Sequence, residues 1–163
     1  MLHTLFGLPA HILIVHAAVV FIPLAALGGI VYAVVPGLRR HIWWVVVVLG
    51  VVAPVAAWGA RLSGVNLRND RLSTASGALL DHINTHQSWG LATSWWALGL
   101  GVALLVMTLV TIPLPGRWRI NVGAVATSGV VRLATVVVVV AVAVVTLYYV
   151  IQTGDSGSRS VWG

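Results

Sequence analysis

The chain contains no cysteine, which excludes disulfides, thiolate metal sites, iron–sulfur ligation and c-type haem attachment. Lysine and glutamate are missing too, so all charge rests on nine arginines and three aspartates, 7% of the residues. The pI near 11.5 is that of many nucleic-acid binders, yet the arginines stand singly or in pairs and form no basic stripe. No nucleic-acid partner is expected. Phosphate-binding loops and nucleophile–base pairs are absent as well, so no catalytic motif marks the chain as an enzyme on its own. The segment GDSGS, residues 154–158, resembles the nucleophile stretch of trypsin-type proteases. Such a motif works on a soluble β-barrel with a positioned His and Asp. Following a membrane helix, it reads instead as a turn in which Gly and Asp supply caps.

What remains is apolar. Hydrophobic residues make up 60% of the 163, and the mean hydropathy is +1.02, outside the range of soluble globules. Four runs, 12–35, 42–60, 89–112 and 133–151, are long enough to cross a bilayer, which takes roughly 20 residues. The first lacks the basic n-region and cleavage site of a signal peptide. Valine dominates the second and fourth, but a lone strand cannot satisfy its backbone in lipid, and the alternating polarity of a barrel is missing. The expected fold is all-α: one domain, residues 1–163, forming an up-and-down four-helix bundle in a bacterial cytoplasmic (inner) membrane.

PGLRR (residues 36–40) is a tight polar turn, and the third connection, residues 113–129, holds Arg117 and Arg119, with Arg132 just after it. The positive-inside rule puts these two connections in the cytoplasm and both termini outside, although Arg61, Arg68, Arg71 and Arg159 oppose it. Trp43 and Trp44 then fall at the inner interface, Trp58 and Trp89 near the outer one.

This topology gathers polar residues at the outer end: His11 and His16, Arg61 and Ser63, His82 and His86, and Asp155. His16 lies about 7.5 Å deeper than His11, and the two are about 140° apart round the helix. The expectation is that His16 looks into the bundle and His11 sits at its rim. His3 and His41 read as interfacial, His82 as a wet loop-end residue. Ionisable groups inside a span are functional candidates by default, which singles out His16 and His86.

The residues LPAHILIVHAAVVFIPLAAL (8–27) resemble the opening of an uncharacterised bacterial membrane family known as domain of unknown function 2231. That family reads H-P-x-x-V-H before a proline-containing apolar run, then H-x-x-x-G and a closing G-H-x-G. HQSWG supplies His86 and Gly90 for the second element, and GDSGSRSVW aligns with the third. Ile12 replaces the family's proline, Val65 an acidic residue and Asp155 the closing histidine. The resemblance implies a four-helix membrane protein over essentially the whole chain. If the family site is a polyhistidine metal site, Asp155 stands here where an imidazole would. Relatives joined to Rieske-type domains make a redox role the implied one.

Three functions follow as expectations. The first is haem b held between His16 and His86, with Arg61 meeting a propionate, in membrane electron transfer beside a redox or respiratory partner. The second is a Zn or Cu binding or transport module using His11, His16, His86 and Asp155. The third is an accessory subunit without its own cofactor, packed against a larger complex or another copy of itself.

Overall fold

The computed structural model describes residues 4–5, 8–111 and 129–162. Among the described residues a two-residue antiparallel pairing, Thr4–Leu5 with Leu8–Pro9, precedes four α-helices: α1 (Ala10–Val34), α2 (Arg39–Arg71), α3 (Gly77–Thr111) and α4 (Gly129–Trp162). A single 3-10 turn, Pro36–Leu38, joins α1 to α2. Each helix packs on its chain neighbours and α4 closes against α1, leaving α1 and α3 diagonal. All four are long and apolar enough to span, with mean hydropathy of 1.8 to 2.7 in their most apolar stretches. Valines and leucines such as Val55, Leu109 and Val130 are exposed round the outside, and this is the surface that meets lipid. The chain is a multi-pass membrane protein.

Three helices continue well past their apolar runs. Residues 61–80, which lie between the second and third apolar runs, are α2 as far as Arg71, and α3 begins at Gly77 in the left-handed region (φ 60°). DHINTH is helical and His82 is half-buried, so the loop-end expectation for His82 is corrected. GDSGS is helical too, where a capped turn was expected. Ser156 and Ser158 bond back to the carbonyls of Thr153 and Asp155, and Asp155 pairs with Arg159 one turn on (3.0 Å). These local bonds offset the cost of two helical glycines, about 1 kcal/mol each. The third connection, with Arg117 and Arg119, lies outside the described residues, as does His3.

The burial pattern is that of a tandem repeat. One fixed offset along the chain carries α1 onto α3, pairing buried Ala18 with Thr93, Ile22 with Ala97, Ala25 with Leu100, Ala26 with Gly101, Gly29 with Leu104 and Tyr32 with Met107. A second offset carries α2 onto α4, pairing Val46 with Val139, Gly50 with Ala143 and Ala53 with Thr146. The bundle is two helical hairpins of the same design, related by a pseudo-twofold along its axis.

Two contacts fix how the helices sit. Pro54 has no N–H for the Gly50 carbonyl one turn back, and Gly101 of α3 packs on that freed oxygen. At the end away from the histidines, the Arg39 guanidinium donates to the carbonyls of Tyr32 (2.9 Å) and Ala33 (2.7 Å), and Tyr32 Oη donates to Thr111 Oγ1 (2.7 Å). A methyl at Gly101 would overlap the Gly50 oxygen, whereas one at Gly99 meets nothing within 4 Å. Gly101→Ala is therefore expected to destabilise the detergent-solubilised protein by about 1–3 kcal/mol. Gly99→Ala should range from neutral to stabilising by about 1 kcal/mol, and thermal unfolding of both variants checks the pair.

Candidate functional site

His11 opens α1 on the same stripe as Ala18, Ile22 and Ala25, so its ring turns into the bundle. His86 occupies the equivalent place on α3, on the stripe of Thr93, Ala97 and Leu100. The two half-buried rings face across the diagonal, with centroids 6.5 Å apart and planes at 77°. The expected roles of His11 and His16 are thus exchanged. The 140° between them lets one look inward, and the small buried residues of α1 share the face of His11. His16 is exposed, its Nδ1 on the carbonyl of Ile12 in its own helix (2.6 Å). Its repeat counterpart is the exposed Leu91.

Each inward ring is held by the following helix in the same way. His11 Nδ1 lies 3.0 Å from the Ala60 carbonyl and 3.1 Å from Ser63 Oγ. His86 Nδ1 lies 3.1 Å from the Thr153 carbonyl and 3.3 Å from Ser156 Oγ. Both hydroxyls donate to those same carbonyls, at 2.9 and 3.0 Å, and so present lone pairs to the imidazole. A carbonyl oxygen can only accept. Each Nδ1 must therefore carry its proton, and in the neutral ring Nε2 keeps the free lone pair. A glycine follows each serine: a methyl at Gly64 or Gly157 would press on the Cε1 of His11 or His86 at 3.0 Å. The segments A-x-x-S-G (60–64) and T-x-x-S-G (153–157) are thus one cradle built twice.

A cavity of about 860 Å³ at this end of the bundle is lined by both rings, by His16 and by apolar residues of all four helices. Arg61, Arg68 and Gln87 line it as well. The Arg61 guanidinium lies over the Trp58 ring (5.1 Å), and Arg68 donates to Gln87 Oε1. Asp155 is not in this cavity. It is half exposed and paired with Arg159, and with His82 it lines a separate groove of about 260 Å³ between α3 and α4. Among the described residues no three His, Asp, Cys or Glu side chains converge as metal ligands, so the set His11, His16, His86 and Asp155 is not assembled.

No family model matches the chain, nor does any curated protein or solved structure. The serine and the glycine of each cradle were within reach of sequence reasoning, as a doubled x-x-S-G following a span. The carbonyls of Ala60 and Thr153 carry no such signal, because every residue has one.

Both rings are expected to be Nδ1–H tautomers at neutral pH, with Nε2 as the bare nitrogen. Side-chain 15N chemical shifts of His11 and His86, assigned through His11→Gln and His86→Gln, measure this directly. A bare Nδ1 on either ring would contradict the cradle.

Proposed function

We propose that the protein holds one b-type haem between His11 and His86 and serves membrane electron transfer, beside a redox partner in a bacterial cytoplasmic membrane. The observation that carries this reading is the pair of opposed imidazoles with free Nε2 atoms. A metal ion about 2 Å from each of two opposed ring nitrogens separates the ring centroids by about 6 Å, close to the 6.5 Å found. Metal-bound histidines characteristically donate their other N–H to a carbonyl or carboxylate, as both do here. The cavity, about 860 Å³ and mostly apolar, falls within the roughly 300–1,000 Å³ of small-molecule and cofactor sites. Bis-imidazole ligation inside a helical bundle needs no cysteine.

In this reading the chain's own parts divide the work. His11 and His86 would supply Nε2 donors, Ala60, Ser63, Thr153 and Ser156 hold each Nδ1–H and so leave Nε2 as the bare nitrogen, and Val and Ile side chains line the cavity. A bound haem supplies a one-electron couple. The divalent-metal alternative draws less support, because a Zn site commonly takes three or four protein ligands and among the described residues no group of three His, Asp, Cys or Glu side chains converges. The motif resemblance to the 2231 family is compatible with either ligand.

Protein purified from haem-replete cells should show a Soret band, with sharp α and β bands on reduction. His11→Ala or His86→Ala should abolish both, and His16→Ala should leave them. A colourless wild-type preparation would defeat the proposal. Loss of one serine contact in Ser63→Ala should weaken haem retention by about 10-fold, the low end for such supporting contacts, since the Ala60 carbonyl remains.

The Arg39–Arg40 turn and Arg132 support an orientation with both termini and the imidazole pair outside. A cysteine replacing exposed Ser158 should then label with an impermeant thiol reagent in intact cells, and one replacing exposed Leu38 should not. The reverse pattern would turn the protein over.

A further inference from the structure

The repeat makes the imidazole pair symmetric, but the cavity around it is not. The fixed offsets place Gly154 opposite Arg61 and Ile12 opposite Gln87. One wall, from α2 and α3, therefore carries two guanidinium groups and an amide, whereas the described lining residues of α4 and α1 include no arginine and have Gly154 and Ile12 at the places equivalent to Arg61 and Gln87. Among the described lining residues no carboxylate balances those charges. Both arginines are half-buried, and each is steadied by a neighbour: Arg61 by the face of Trp58, Arg68 by Gln87 Oε1. Spaced seven residues apart on α2, they lie two turns from one another on nearly one face, about 10 Å along the axis.

A duplicated scaffold needs no such difference to stay folded, since the α4–α1 wall lacks these groups and packs in the same register. Two cations on one wall of an apolar cavity are suited to a ligand that is apolar over most of its surface and anionic along one edge. From this we infer that the cavity takes its ligand in a single orientation, with two carboxylates on the α2–α3 wall, and that Arg61 and Arg68 select a dicarboxylate porphyrin over its neutral analogues. The inference rests on the porphyrin reading above and adds to it the edge of the ligand that is recognised. Guanidinium–carboxylate contacts are charge-assisted and directional, and the apolar surroundings strengthen them.

The test uses the full chain in detergent, freed of pigment, titrated with iron protoporphyrin IX and with its dimethyl ester. The Soret shift on imidazole ligation reports binding, without any electron-transfer assay. The wild type should favour the diacid on the order of 10-fold or more. In Arg61→Ala/Arg68→Ala that preference should disappear while ester binding is unchanged. Arg61→Lys/Arg68→Lys, which keeps the charge and guards against a folding defect, should restore part of it. Equal affinity for diacid and ester in the wild type would overturn the inference and leave the bis-imidazole site standing. A preference that survives loss of both arginines would also overturn it. If neither porphyrin gives a His11- and His86-dependent shift, both proposals fall together.

Discussion

Inside a bilayer a polar group has no water to turn to, and its partner must come from the protein. The helical backbone meets this demand for itself. Short polar side chains meet it locally: Ser94, Thr108, Thr135 and Thr146 each bond a carbonyl one turn back in their own helix. Among the described residues no buried side-chain polar atom is left without a partner. The inward histidines solve the problem differently. Their rings reach across to the next helix, so satisfying each imidazole also ties α1 to α2 and α3 to α4. His16 shows the contrast: it is exposed, and its ring bonds its own helix.

Much of this architecture was legible in the sequence. Four apolar runs set the number of spans, and their alternation brought the polar residues of separate segments to one end. The helix ends were not legible, because hydropathy records where lipid stops and not where hydrogen bonding stops. In α2 the chain passes from Ala60 into polar residues with no proline and only Gly64 as a weak breaker, and the helix goes on to Arg71. In α4 the glycines of GDSG looked like a turn, but serine back-bonds and an Asp–Arg pair hold the helix together.

The exchange between His11 and His16 has an instructive cause. At about 140° apart, one of the two must face away. Depth and angle alone do not tell which, although Ala18, Ala25 and Gly29 mark the inward face of α1 by their size. His86 needed no such choice, since α3 offers a lone imidazole at that depth and His82 lies a turn nearer the rim. Two hairpins that share a burial pattern while sharing few residue identities show what the two halves have in common: burial along one stripe, and an imidazole–serine–glycine set at one end.

Half of the imidazole centre is made of main-chain oxygens, atoms that no substitution at Ala60 or Thr153 removes. Their position depends instead on how far each helix is slid along its neighbour. Besides the Gly50–Gly101 contact, α1 is held at the opposite end of the bundle, where Arg39 grips the carbonyls closing α1 and Tyr32 reaches Thr111. A helix behaves as a stiff rod, so an axial slip there arrives at the histidines almost undiminished. The far end of the molecule thus acts as the tuning peg of the site, and side chains a full membrane thickness away belong to its mechanics.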